Sequence, residues 1–134
     1  MGAYDKYKKL TKAEQDFVKN HPLAAMNFKS DAEKALTEAQ NRFPPETLHN
    51  GEGDAFRHAY WNALMTKDEN AELAEEFATA HESAPGQPAA EKTMDLCNNA
   101  VGRQIAKDNP NATEEELANL VIQALKDGRL LKLK

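Results

Sequence analysis

The sequence predicts an all-α fold, a single compact bundle of five or six helices around a central buried helix at about residues 54–66. Breaks that contain Pro or Gly divide the chain into segments of helical length. Within those segments apolar residues recur at three- and four-residue steps. The longest strand-like alternation covers only the four residues 130–133. We therefore expect one helical domain over residues 1–134, with loosely ordered ends at 1–10 and 129–134.

Composition excludes several classes of protein. The chain carries 17 Lys and Arg against 22 Asp and Glu, a net charge of −5, which disfavours nucleic acid as a partner because such binding needs a positive surface. No apolar stretch is long enough to form a transmembrane segment. The single cysteine, Cys97, excludes an internal disulfide and a site built from several thiolates. Whether a leader or a larger parent chain precedes Met1 stays open.

Capping signals predict where the helices begin. Three segments open on such a signal: Thr11 with Glu14, Ser30 with Glu33, and Thr113 followed by three glutamates. The last of these segments stops at Gly128, a normal residue after a helix C-terminus.

The central helix is apolar on both sides. One side carries Phe56, Ala59, Tyr60 and Ala63, and the opposite side carries Asp54, His58, Trp61 and Met65. Because almost no face is left for water, the polar members of this helix are dehydrated and need partners.

Two further helices also direct polar groups inward. At about residues 69–83 the apolar face includes His81, which we expect to point inward, whereas Glu82 is expected to point outward. At about residues 89–107, Asn98 lies among the core residues, and Asp95, Asn99 and Gly102 lie beside them. A glycine within a helix costs about 1 kcal/mol relative to alanine, and close approach of another backbone or a ligand is a common reason to accept it.

These polar groups predict a shared site. Asp54 and His58 stand four residues apart, so both side chains can reach one point. Carboxylate oxygens and imidazole nitrogens suit a divalent ion such as Zn, Mn or Mg, or they could form a general acid–base pair. The candidate catalytic residues, which are also the candidate metal ligands, are Asp54, His58, His81 and Asp95. The candidate substrate-binding residues are Arg57, Asn62, Asn98 and Asn99.

A structural role for the same cluster is the alternative. Buried Asp–His and Asn–backbone hydrogen bonds often do no more than hold a helix bundle in one arrangement. An ion pair from Arg57 to Asp95 or Glu91 would make the cluster structural outright. Cys97 is expected to be a small buried residue rather than a nucleophile. The loop at residues 43–53, with an exposed His49, could form a lid.

Three ordered motifs carry a resemblance to a known family. They are DAFRHAYWNA at residues 54–63, AHE at residues 80–82 and MDLCNNAVG at residues 94–102. Over about residues 23–106 the chain resembles a bacterial all-α family of unassigned function, with motifs D-A-x-R-H-A-x-W-N-A, A-H-E and M-D-x-x-N-N-x-x-G. Relatives include small standalone proteins and modules of larger, exported or toxin-like chains. The motifs include Glu82, which is not among the inward polar residues above. The chain differs from the family at Cys97, where the family often has His.

Three functions follow as hypotheses. The first is a small hydrolase, metal-dependent or not, acting on a phosphoester, a lipid or a cell-envelope bond. The layout of histidines and acids is similar to that of metal-dependent phosphohydrolases of the HD type, but His81-Glu82 is not His-Asp and the spacing to Asp95 is short. The second is a non-catalytic binding module with a structural polar interior and a basic protein partner. The third is a toxin or effector domain with an immunity partner. The compartment, whether cytoplasmic or exported from a bacterium, stays open.

Overall fold

The computed structural model describes residues 9–134, and within this range all regular secondary structure is helical. The elements, in chain order, are α1 (Lys12–Asn20), α2 (Pro22–Arg42), a 3₁₀ turn (Pro45–Thr47), α3 (Glu52–Asp68), α4 (Ala71–His81), α5 (Ala89–Asp108) and α6 (Glu114–Lys126). The predicted fold class is therefore confirmed. The expected loose end at residues 1–10 lies mostly outside the described residues.

Helix α3 is the centre of the bundle. It packs against α2, α4, α5 and α6, and twelve of its residues are buried. Its Trp61 side chain is 6% exposed and donates a hydrogen bond from Nε1 to the Phe28 carbonyl oxygen at 3.0 Å. The prediction of a central buried helix is confirmed. Among the described residues, no helix has the length and apolar character needed to cross a bilayer.

The contact between α3 and α5 depends on Gly102. A Cβ atom at this position would lie 1.9 Å from the Ala59 carbonyl oxygen, far inside van der Waals contact. Only a residue without a side chain allows the two helices to approach this closely. The close approach predicted from this glycine is confirmed, and it brings the polar residues of α5 against those of α3.

The capping predictions have mixed outcomes. Thr11 with Glu14 forms a complete capping box, and so does Thr113 with Glu116. The box predicted at Ser30 is wrong, because α2 already begins at Pro22 and continues through this position. A Ser followed three residues later by Glu also fits the interior of a helix, and Pro22 occupies the first helical position, where proline is common.

Residues 129–134 follow α6 and return to the bundle. Leu130 is 6% exposed, and the Leu131 backbone N–H and carbonyl both bond to the Asn98 side chain at 2.8 Å. Further along, the Leu133 N–H donates to the Asn50 carbonyl oxygen at 2.7 Å. This segment therefore joins α5 to the loop that precedes α3.

Candidate functional site

The first turns of α3 build one half of the site. The Nδ1 atom of His58 lies 3.1 Å from Asp54 Oδ1 and 3.0 Å from the Asp54 carbonyl oxygen. Both side chains are 5% exposed. The four-residue spacing predicted this contact, and its effect is to fix the orientation of the imidazole ring.

The other half of the site faces the opposite nitrogen of the ring. His58 Nε2 lies 3.5 Å from Asp95 Oδ2 and 3.7 Å from Glu82 Oε2. Asp95 comes from α5, and Glu82 is the C-cap residue that follows α4. Three segments of the bundle thus bring three carboxylates to one imidazole. We call Asp54, His58, Glu82 and Asp95 the acid–imidazole cluster.

Two carboxylate oxygens of the acid–imidazole cluster are unsatisfied. Glu82 Oε2 and Asp95 Oδ1 are buried and have no hydrogen-bond partner among the described residues. Buried polar atoms in folded proteins are almost always paired, because an unpaired one costs about 1–3 kcal/mol. These two atoms therefore stand ready to contact something that the chain itself does not supply.

A cavity of about 430 Å³ adjoins the acid–imidazole cluster. All four cluster residues line it, and residues 84–88 form another part of its wall. Arg57 and His49 are also in the wall, and their side chains are 34% and 79% exposed. The cluster is thus buried, and the cavity that it adjoins has solvent-exposed side chains in another part of its wall.

Two residues that the sequence analysis missed hold the carboxylates in place. The Asn50 backbone N–H donates to Asp54 Oδ2 at 2.8 Å, and its side chain donates to Glu91 Oε1 at 2.8 Å. Asn50 has a φ of 65°, a conformation that asparagine tolerates better than most residues. Gln87 Nε2 donates to Glu82 Oε1 at 2.9 Å and to Asp95 Oδ2 at 3.2 Å. Asn50 lies in the loop predicted at residues 43–53, but no sequence signal pointed to its bond with Asp54.

The two aspartates of the cluster have opposite pKa shifts. Burial raises the pKa of Asp54, but hydrogen bonding and charge from His58, with the Asn50 N–H and Arg57, outweigh it and hold that pKa well below its usual range. Burial raises the pKa of Asp95 to about 6, and the charge of His58 offsets only part of that rise while Glu82 and Asp54 add to it. The cluster therefore combines one strongly ionised carboxylate with one that is reluctant to ionise.

The expected directions of His81 and Glu82 need correction. The Glu82 side chain, expected to point outward, is 3% exposed and belongs to the acid–imidazole cluster. The His81 side chain is 49% exposed, lines the cavity, and bonds from Nδ1 to Glu14 Oε2 at 3.1 Å. This bond to Glu14 raises the pKa of His81 despite partial burial. Glu82 points inward because α4 ends at His81, so helical periodicity no longer determines the direction of the Glu82 side chain.

The candidate substrate-binding residues lie in different environments. Arg57 donates from Nη2 to Asp54 Oδ1 at 2.9 Å, so it does not form the ion pair with Asp95 or Glu91 that the structural alternative considered. Asn62 donates to the His58 carbonyl oxygen and accepts from Arg103. Asn98 holds Leu131, as described above. Asn99 is fully buried, and neither of its side-chain polar atoms has a partner among the described residues. The structure places only Arg57 of these four in the cavity wall.

Cys97 is exposed, so the expectation of a small buried residue is wrong. It lies on the face of α5 that is exposed to solvent.

Comparison with known proteins gives a family but no activity. A family model described as a domain of unknown function (DUF6973) matches residues 15–129. The chain belongs to this family. The match agrees with the resemblance to a family of unassigned function and spans every residue of the acid–imidazole cluster. No solved structure matches the chain.

Proposed function

We propose that this member of the DUF6973 family is a small hydrolase whose active site is the acid–imidazole cluster. The observation that carries the proposal is the pair of buried, unpaired oxygens, Glu82 Oε2 and Asp95 Oδ1, beside the cavity. A polar network that serves only to hold helices together gains most when every member is satisfied. Unsatisfied acceptors on residues that line a cavity instead favour a site that binds and orients a water molecule or a ligand.

The chemistry follows from the direction of each side chain. Carboxylate oxygens at the base of the cavity can accept hydrogen bonds from a water molecule and take its proton as its oxygen attacks the substrate. Asp54 holds His58 by Nδ1, so that Nε2 faces the same space. Arg57 in the wall offers guanidinium N–H groups to an anionic substrate group. Among phosphoester, lipid and cell-envelope substrates, these donors favour a phosphoester.

Hydrolysis assays of purified protein test the proposal. A panel of phosphomonoesters and phosphodiesters, followed by lipid and cell-envelope substrates, would be assayed with the wild type, His58→Ala and Asp95→Asn. Asp95→Asn keeps the shape of the side chain while removing its basicity, and we expect at least about a 100-fold loss of kcat, the usual scale of acid–base catalysis.

The matched control is Asp108→Asn, the same change at an exposed position at the other end of α5. It should keep full activity, and circular dichroism should show that all variants fold. Full activity in Asp95→Asn and His58→Ala, or no hydrolysis across the panel by the wild type, would refute the proposal.

A non-catalytic binding module is the second candidate function. It is favoured by Asn62 and Asn98, both proposed from the sequence as substrate ligands, which instead bond to groups of the chain itself. Part of the polar interior thus has the structural role that this alternative predicts. In that case the wild type would hydrolyse nothing on the panel, and Asp95→Asn would alter stability alone.

A further inference from the structure

We propose that the acid–imidazole cluster is a binding site for one divalent transition-metal ion, with Zn²⁺ or Mn²⁺ as the class. His58 Nε2, Glu82 and Asp95 would be the ligands, and Asp54 would hold the imidazole from behind. Compared with the ligands expected from the sequence, this set replaces His81 with Glu82 and moves Asp54 from the ion to the far side of the imidazole. The inference deepens the proposed function and rests on it only for the catalytic role of the ion.

The distance from the His58 imidazole to each of the two carboxylates fits an ion. Nitrogen and oxygen ligands lie about 2.1 Å from Zn²⁺, so two of them at a tetrahedral angle are about 3.4 Å apart. His58 Nε2 is 3.5 Å from Asp95 Oδ2 and 3.7 Å from Glu82 Oε2. These separations are long for a direct hydrogen bond but close to the edges of a metal coordination tetrahedron.

The hydrogen bonds of His58 use Nδ1 and leave Nε2 facing Glu82 and Asp95. Metal-binding histidines usually give their other ring nitrogen to a carboxylate or a backbone carbonyl, which fixes the ring. Here Nδ1 has both partners, because it lies within 3.1 Å of Asp54 Oδ1 and 3.0 Å of the Asp54 carbonyl oxygen. Asp54 is itself held by the Asn50 N–H and by Arg57. The outer part of a metal site is thus already built.

The charges of the cluster also call for a cation. Arg57 neutralises Asp54 through their ion pair. The side chains of Glu82 and Asp95 are 3% and 10% exposed, and among the described residues the neutral Gln87 is their only hydrogen-bonded side-chain partner. Two buried carboxylates without a full counter-charge are costly, and one divalent ion would compensate both. The adjoining cavity leaves room for a further ligand such as water, as catalytic metal sites require.

Direct metal binding tests the inference. The full chain, freed of metal by chelator and dialysis, would be titrated with ZnCl₂ and separately with MnCl₂ by calorimetry, with bound metal counted by mass spectrometry. We expect one ion per chain and a rise in Tm with metal concentration. Glu82→Gln and Asp95→Asn should each weaken binding at least about 100-fold. Asp54→Asn, which acts through His58, should weaken it about 10- to 100-fold.

Matched controls separate this site from incidental metal binding. Glu52→Gln is the same change at an exposed residue that pairs with Lys132 and should bind like the wild type. His49→Ala removes the exposed histidine beside Glu91, where a surface ion could bind. Stoichiometric binding that His49→Ala abolishes and Glu82→Gln does not would overturn the inference, and so would a wild type that binds no ion.

The outcomes also separate this inference from the proposed function. Hydrolysis that continues at full rate in excess chelator would overturn the metal site and leave the hydrolase standing. One ion bound through His58, Glu82 and Asp95, with no hydrolysis of any substrate class, would support the site and refute the hydrolase. Activity that is lost in chelator and regained with one equivalent of metal would support both.

Discussion

Two polar regions lie in the interior of this bundle, and they differ in how completely their atoms are paired. Around Asn98, the side-chain amide nitrogen and oxygen each have a backbone partner on Leu131 at 2.8 Å. In the acid–imidazole cluster, one oxygen of Glu82 and one of Asp95 have none among the described residues. Both regions include a residue of α5, Asp95 in the cluster and Asn98 in the other region, and these two residues are only three positions apart in sequence.

The difference separates stability from function. A satisfied buried amide contributes to stability and fixes one arrangement of the chain, here the path of residues 129–134. An unsatisfied buried carboxylate costs stability, so its presence needs another reason. We infer that the Asn98 region holds the fold and that the acid–imidazole cluster binds something. Substitutions in the two regions should therefore change the free energy of unfolding in opposite directions.

The largest effect is expected where pairing is complete. Asn98→Ala removes two buried hydrogen bonds and leaves the Leu131 N–H and carbonyl without their partner, so we expect a loss of about 3 kcal/mol in the free energy of unfolding. Urea denaturation of the wild type and the variant measures this directly.

The matched control is Asn99→Ala, the same change at the next residue, which is also fully buried but has an unpaired amide. Its loss should be at least about 1 kcal/mol smaller, since the deletion also removes an unsatisfied group. Equal losses in the two variants would contradict the comparison.

A third buried polar group, Asp31, is expected to have a smaller and pH-dependent effect. It is 1% exposed, and burial together with Asp68 raises its pKa to about 8, while Lys34 opposes and Glu114 adds to the rise. The folded state therefore keeps a proton that the unfolded state loses above about pH 4. Stability due to this group is full below pH 4 and is lost as the pH rises to about 8.

Asp31→Asn should remove this dependence. We expect the variant to be about 2 kcal/mol more stable than the wild type at pH 8 and nearly equal to it at pH 4, as measured by urea denaturation at both values. Asp16→Asn, at an exposed position of α1, should leave the pH dependence unchanged. A variant that is destabilised at pH 8 would show that the ionised carboxylate is stabilising.

The sequence predicted the helices that carry the site better than it predicted which side chains form the site. The i, i+4 pair Asp54 and His58 and the tight contact at Gly102 follow from helical periodicity, and the structure has both. Glu82 was misplaced because it caps the end of α4, where periodicity no longer determines direction. Asn50 was missed because it acts through its backbone N–H, which any residue except proline possesses. Local pattern therefore gives the helices, whereas helix ends and loops complete the site.

The smallest predicted effect has the opposite sign to that of Asn98→Ala. In metal-free protein, Glu82→Gln replaces Oε2, which has no hydrogen-bond partner among the described residues, with an amide group that can donate to His58 Nε2, 3.7 Å away in the wild type. It also removes one of three clustered negative charges, so we expect a gain of about 1 kcal/mol in the free energy of unfolding at pH 7. Thermal melts in chelator measure the gain, with Glu76→Gln, the same change at an exposed position within α4, as the unchanged control. In saturating Zn²⁺ the order should reverse, since only the wild type gains stability from the bound ion. A loss of stability in chelator would mean that Glu82 already has the partner it needs, and the contrast between the two regions would fail.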